Sequence, residues 1–376
     1  MHSAYNFLKR CSYSSIAEIR YFADYLKTRY SRADVVIQGS YKTGNVGDLA
    51  IGKTIKEVIE RNFRLKCDLT GFYYSRQNFS NYFLHIIGGG GIIHDFAKNN
   101  LERRLNPIGT ASKSVVLGVG VPGIRTQKGK KLIKKLEKTE LITVRDEISK
   151  DKLQSLIDKE VFVTACPTFL MEPEEKTIKF DEETCGLSLR DWFSPILTSN
   201  GKWEHIHKGY IPSFVDNNKQ KKNYLNFLEK NLKKLEKSYK LIFIPFHPDD
   251  IVFIKYYFPK INLKIVPIKS PIDTLNLIKN LDKMICMRYH SLIFSLIAEV
   301  PLFLIDYEDK TNQIAKKFNL NSININEIKS DDEISFFESK NKIRKIKNEM
   351  RNKAKRNFVL LAEKVLHQES SQMKNN

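Results

Sequence analysis

Short apolar runs recur along this chain, each ending in glycine or a charged residue and each followed by a segment with helical spacing. Residues 33–39 lead into Gly44-Asn45-Val46-Gly47-Asp48, after which Leu49, Ile51, Ile55, Val58 and Ile59 mark a helix over 48–62. Residues 83–87 run into Gly88-Gly89-Gly90-Gly91. Residues 114–120 and 141–146 repeat the pattern, a helix follows from Ser149, and 161–163 closes the series. Apolar strands alternating with helices predict a parallel sheet covered on both faces. The character changes around 167–184, where the polar, proline-containing Glu172-Pro173-Glu174-Glu175-Lys176 reads as a linker. A second series follows, with strands at 185–190, 240–245, 263–266, 283–287 and 301–305 and helices over 222–239, 272–280 and 290–298. The expected fold is α/β, with two domains whose parallel sheets face a cleft. The expected divisions are residues 1–172, residues 173–335, and a basic amphipathic C-terminal helix within 336–376, its apolar residues running from Ile343 to Val365. The first thirty residues are also expected to be helical. Ligands of such sheets bind beyond the carboxyl ends of the strands, so the site is expected there, in the cleft.

A chain of 376 residues with 41% hydrophobic content buries enough surface for two such domains. It has no run of eighteen apolar residues and no apolar stretch in its first ten residues. The expectation is a cytoplasmic protein, with the inner face of the membrane as an alternative location. Cys11, Cys67, Cys166, Cys185 and Cys286 are scattered, which reads as reduced thiols rather than a disulfide framework or a zinc site. The net charge of +20, from 63 basic and 43 acidic residues, favours an anionic partner. No nucleic-acid-binding motif accompanies it, so nucleic acid is not the expected partner. The charge concentrates at 125–138 and 340–356. Both stretches read as solvated helix faces, with peripheral contact to an anionic membrane as the alternative.

Several strand ends carry chemistry. Gly44 to Asp48 joins a strand to a helix, where glycine lets the backbone approach a ligand and helix N–H groups suit an anion; Asp48 reads as the N-cap. The four glycines at 88–91 match neither G-x-G-x-x-G nor a Walker A loop. They either pack two backbones closely or line the cleft, and His94 and Asp95 after them are polar candidates or helix caps. Arg145-Asp146-Glu147 reads as a local ion pair. Arg190 closes the first strand of the second series, and Arg288 and His290 follow another buried strand. Strand-end arginines suit a carboxylate or phosphate, and a histidine beside them suits proton transfer. His247, Asp249 and Asp250 follow a third strand and read as a cleft-lining loop rather than a metal site.

Taken in order, these segments resemble the polysaccharide pyruvyl transferase family. The matching elements are Gly44-Asn45-Val46-Gly47-Asp48, Ile87-Gly88-Gly89-Gly90-Gly91, Gly118-Val119-Gly120, Val144-Arg145-Asp146-Glu147-Ile148-Ser149, Gly186-Leu187-Ser188-Leu189-Arg190, Arg288-Tyr289-His290-Ser291, Pro301 and Tyr307-Glu308-Asp309-Lys310. The resemblance implies two Rossmann-like domains of the GT-B type. It implies phosphoenolpyruvate as donor co-substrate, with no further cofactor and no metal, and a surface glycan, its precursor or a lipid-linked saccharide as acceptor. It also implies that Arg190, Arg288, Tyr289 and Lys310 hold the donor and that His290 is the general acid. Asn45, Gly47, Asp48, Gly89, Gly90, Arg145 and His247 are then acceptor or cleft-lining residues. The family has Asp before Pro where this chain has Cys166-Pro167, so that carboxylate has no counterpart here. A GT-B glycosyltransferase using a nucleotide sugar is the alternative expectation.

Overall fold

The structure is a computed structural model that describes residues 26–72, 77–96, 100–174, 180–191 and 218–366. Most of the helix expected over the first thirty residues lies outside them. The chain divides into two compact units, the first drawn from residues 1–41, 55–163 and 358–376 and the second from 42–54 and 164–357. This division is not linear. The turn at Gly44 and the first residues of the helix after it group with the second unit. The last turns of the C-terminal helix group with the first.

The first unit is a six-stranded, wholly parallel sheet. Its strands are β1 (Val35–Gln38), β2 (Cys67–Thr70), β3 (Leu84–Gly90), β4 (Lys113–Val119), β5 (Leu141–Val144) and β6 (Phe162–Val163). Their order is β2-β1-β3-β4-β5-β6. The helices are α1 (Val46–Phe63), α2 (Asn100–Leu105), α3 (Gln127–Ile133) and α4 (Glu147–Gln154). Ile87, Val116, Ile142, Leu136 and Leu153 are fully buried in one shared core. The N-caps of α3 and α4 are side chains: Gly129 N–H donates to Thr126 Oγ1 and Ser149 N–H to Asp146 Oδ1.

The second unit repeats the architecture with β7 (Thr184–Ser188), α5 (Asn218–Leu235), β8 (Lys240–Phe243), α6 (Pro248–Tyr257), β9 (Leu263–Ile265), α7 (Pro271–Lys279), β10 (Lys283–Cys286), α8 (Tyr289–Ala298), β11 (Leu302–Asp306), α9 (Asp309–Phe318), β12 (Ser322–Asn324) and α10 (Lys340–Leu361). Its sheet is also wholly parallel, in the order β12-β11-β10-β7-β8-β9. Pro248 and Pro271 stand in the first turns of α6 and α7, where the missing N–H costs nothing. The α8 helix is buried on every side, with Ser291 to Leu296 at 0% exposure.

The expected strands are all present, with ends moved by at most three residues. The pattern did not predict β2 and β12, which read Cys-Asp-Leu-Thr and Ser-Ile-Asn. Both are edge strands, where one-sided pairing tolerates polar residues. Helix α6 begins inside the segment expected to be a loop, and α2 and α9 were also not anticipated, whereas α3 falls in the basic stretch expected to present a helix face.

Candidate active site

Numbered from its own first strand, the second sheet runs 3-2-1-4-5-6 from β9 to β12. The winding reverses between β7 and β10, and the crevice beyond their carboxyl ends is the binding position such sheets provide. Arg190 follows β7 by two residues and Arg288 follows β10 by two. Met287 N–H donates to Ser188 O at 3.0 Å and Ile244 N–H to Leu187 O at 2.8 Å, so the tips of β7, β8 and β10 end level. The two arginines predicted from sequence therefore stand on either side of the switch point.

Arg288 is fixed by a partner not foreseen from sequence. Its Nε donates to Asp250 Oδ2 at 2.7 Å and its Nη2 to Oδ1 at 2.5 Å, a two-point pairing. Asp250 Oδ2 also accepts the N–H groups of Phe246 (3.1 Å) and His247 (3.0 Å). Asp250 is 1% exposed. Burial alone would lower the pKa of Arg288, but the Asp250 charge and hydrogen bonds outweigh it and hold the guanidinium firmly protonated. One edge of the Arg288 guanidinium, Nε with Nη2, is thus committed to orientation, and Nη1 stands outside that pairing.

Arg190 lies over the Tyr307 ring, 5.5 Å from its centroid. Tyr224 donates its hydroxyl to the Arg190 carbonyl at 3.1 Å. Burial and Glu308 push the Tyr307 hydroxyl up, while the charges of Arg190 and Arg288 both pull against that shift, so the two arginines act on one place. Lys310 pairs with Glu308 at 2.5 Å and sits 5.6 Å from the Tyr289 ring centroid. Burial raises the Glu308 carboxyl, yet Lys310, Tyr307 and Arg190 hold it below the usual range.

His290 is 7% exposed in the first turn of α8. Its ring is packed against the start of α1: a Cβ placed on Gly47 would lie 2.1 Å from Nδ1. That near-contact accounts for glycine at position 47. The α1 N-terminus is held there by Val46 N–H donating to Phe246 O at 2.9 Å. Its cap is Asn45, whose Oδ1 accepts Gly47 N–H at 2.9 Å, and not the expected Asp48, which lies within the first turn. On its other nitrogen, His290 Nε2 is 3.8 Å from Cys166 Sγ. Cys166 is thus in direct contact with the histidine. Tyr289 packs edge-on to the His290 ring.

His247 is the N-cap of α6, with Nδ1 accepting Asp249 N–H at 3.3 Å and lying 3.2 Å from Asp249 Oδ2. The Asp249 carboxyl is raised by burial but more strongly lowered by His247, Arg288 and Arg190. Asp250 points to Arg288 and Asp249 to His247.

The first unit holds its own strand-end group. Arg145 is 5% exposed in its side chain and pairs with Asp146 at 3.2 Å, as the sequence suggested. It lies across Gly120, where a Cβ would come 2.4 Å from Nη2, and beside Gly91 at 3.7 Å. Gly89 and Gly90 have φ of +61° and +79°, a conformation glycine adopts without strain. Tyr41 Oη donates to Gly88 O at 2.8 Å. Among the described residues Asp95 caps no helix. It accepts the N–H groups of Arg125 and Thr126 and so clamps that loop. His94 is buried and stacks on Phe96.

Two α/β units, each built on a six-stranded parallel sheet, define a GT-B-like protein. MnaA of S. aureus, in a co-structure with UDP, aligns with a TM-score of 0.52 at 8% identity over 87% of this chain and 95% of that one. The Methanocaldococcus jannaschii UDP-GlcNAc 2-epimerase, in complex with UDP-GlcNAc and UDP, aligns at 0.47 and 12% over 85% and 92%. A search of curated proteins finds no match. The family model described as polysaccharide pyruvyl transferase matches residues 45–309, and the chain belongs to that family. The match begins at the Asn45 cap and ends one residue before Lys310.

Proposed function

We propose that this protein transfers the enolpyruvyl group of phosphoenolpyruvate to a sugar of a surface polysaccharide or its precursor, closing a pyruvate ketal and releasing phosphate. The observation that carries this reading is the placement of His290. It is a nearly buried imidazole locked against Gly47, at the head of a buried helix and next to Arg288, beyond the sheet's switch point. Phosphoenolpyruvate has a phosphate and a carboxylate to bind and a methylene carbon to protonate. Arg190, the outer edge of Arg288 and the α8 N-terminus suit the anions, with Tyr289 and the Lys310–Glu308 pair bordering them. His290 supplies the proton. That proton makes the neighbouring carbon electrophilic, a sugar hydroxyl adds there, phosphate departs, and a second hydroxyl closes the ring. The acceptor must then present two hydroxyls close enough to share one carbon.

The test is phosphate release from phosphoenolpyruvate with methyl glycosides that carry such diols, run in heavy water. The expected product is a ketal whose methyl group carries one solvent deuterium. Failure of phosphoenolpyruvate to bind by calorimetry, or no phosphate release with any glycoside, sinks the proposal.

A further inference from the structure

Glu308 stands at the N-cap of α9, yet its side chain makes no capping bond. It pairs with Lys310 at 2.5 Å instead. The turn that carries Tyr307, Glu308 and Lys310 to the donor site therefore needs another anchor. We infer that Asp306 is that anchor, a positioning residue that holds the turn for the donor without touching the donor. The inference rests on the pyruvyl-transfer reading and adds a residue to it.

Asp306 is the last residue of β11. Its neighbours Ile305 and Tyr307 belong to the core that also holds Leu187 and Met287. Successive side chains of a strand face opposite ways, so Asp306 lies on the other face of the sheet. It is 2% exposed there. Its carboxylate gathers the head of α9. Thr311 Oγ1 donates to Oδ1 at 2.6 Å and Asn312 Nδ2 to Oδ2 at 2.5 Å. The Glu308 N–H reaches Oδ1 at 3.4 Å, and Asn324 Nδ2, at the end of β12, reaches Oδ2 at 3.5 Å. The Asp306 carbonyl accepts the Ile325 N–H at 2.8 Å. One residue thus ties the ends of β11 and β12 to the first turn of α9.

Among the described residues these side-chain donors are all neutral. Burial raises the Asp306 carboxyl above its usual range, and Thr311, Asn312 and the Glu308 N–H offset only part of that rise. Burying a carboxylate on neutral donors is expensive, and an apolar core needs no such group. What the group secures is the turn that hangs from it. Tyr307 follows Asp306 directly and lies under Arg190, 5.5 Å from ring centroid to guanidinium. Glu308 and Lys310 fall within the span that Asp306 grips, and Lys310 sits 5.6 Å from the Tyr289 ring centroid. Three groups that border the donor therefore keep their places through one carboxylate.

Asp306→Ala removes the whole node, and Thr311→Val removes one bond while keeping the shape. The KM for phosphoenolpyruvate is expected to rise by about 10- to 10²-fold in the first and by a smaller factor in the second, with kcat little changed in both. Asp306→Asn should stay near wild type, because its amide oxygen still accepts from Thr311 and Glu308 and Asn312 can turn its own amide to match. Without substrate, amide hydrogen exchange over 306–312 is expected to quicken in Asp306→Ala and Thr311→Val, while β10 and α8 exchange as in the wild type. The positioning role falls if exchange over 306–312 is unchanged, or if Asp306→Asn is as impaired as Asp306→Ala. It also falls if the melting temperature drops while KM stays put, which would show the node to be structural only. Should Asp306→Ala not fold, Thr311→Val decides. If the wild type does not bind phosphoenolpyruvate, the pyruvyl-transfer reading falls, and the exchange comparison still tells whether Asp306 holds the turn.

Discussion

Asp250 and Arg288 are 38 positions apart, yet each is the other's counter-charge in a buried setting. Removing one member of such a pair strands the other, which costs about 3–5 kcal/mol. Asp250→Ala also deprives the Phe246 and His247 N–H groups of their acceptor. We expect it to melt well below wild type in a thermal scan and to lose phosphoenolpyruvate binding. Wild-type stability in that variant would show the pair to be incidental. His85 makes a different demand. It is fully buried on β3, with Nε2 3.0 Å from Gln38 Oε1, and burial pushes its pKa down to about 3. In the unfolded chain it titrates near ~6.5. Between those values the unfolded state binds a proton that the folded state refuses, so stability falls as pH falls below about 6.5. From about pH 7.5 to about pH 5.5 this one group should remove about 1.4 kcal/mol. His85→Gln keeps a hydrogen-bonding partner for Gln38 and should lose that much less than wild type in urea unfolding at the two pH values. Equal losses would refute the assignment.

The start of α1 sets helix stability against site geometry. Alanine at position 47 would favour the helix by about 1 kcal/mol over glycine. Its Cβ, however, would fall 2.1 Å from His290 Nδ1, and the ring must move to admit it. Misplacing a reacting group by about 1 Å costs on the order of 10²-fold in rate. Gly47→Ala should therefore lower the melting temperature, because overpacking a nearly buried ring costs about 1–3 kcal/mol, and phosphate release should drop by at least that factor; an active variant would separate Gly47 from the chemistry. The glycine turn itself was legible in the sequence, because strand, glycine and helix follow one another locally. So were Arg190 and Arg288, each at the end of an apolar run. What holds them was not legible. Asp250 meets Arg288 only because β8 and β10 flank β7, and that 3-2-1-4 order leaves no local trace in the chain. The same holds for Cys166 beside His290, 124 positions away. The pattern also hid β2 and β12, since edge strands need not be apolar, and it mistook the head of α6 for a loop because two prolines flank His247.

The net charge of +20 is distributed unevenly between paired and unpaired cations. On α10, Arg344 and Lys347 share Glu299, Arg351 pairs with Glu172, and Lys353 pairs with Glu349, which Lys317 also meets. The helix's other face is spent on packing: Ile343, Ile346, Met350, Ala354 and Phe358 are buried, and Asn357 Nδ2 donates to Ala165 O at 3.0 Å. Lys340, Lys342, Lys345, Lys355 and Arg356 are left exposed, with no ion pair among the described residues. With most of its apolar residues packed, α10 exposes one large apolar side chain, Val359, and among the described residues no helix is long and apolar enough to cross a bilayer. Near anionic headgroups a basic residue is worth about 1 kcal/mol. The expected outcome is co-sedimentation with phosphatidylglycerol vesicles at low salt, lost near physiological ionic strength, where the screening length is about 8 Å. Changing those five residues to glutamine should abolish the sedimentation and leave turnover of a soluble methyl glycoside unchanged, since none of them belongs to the strand-end site. Sedimentation that survives either high salt or the five substitutions would place the attraction elsewhere on the molecule.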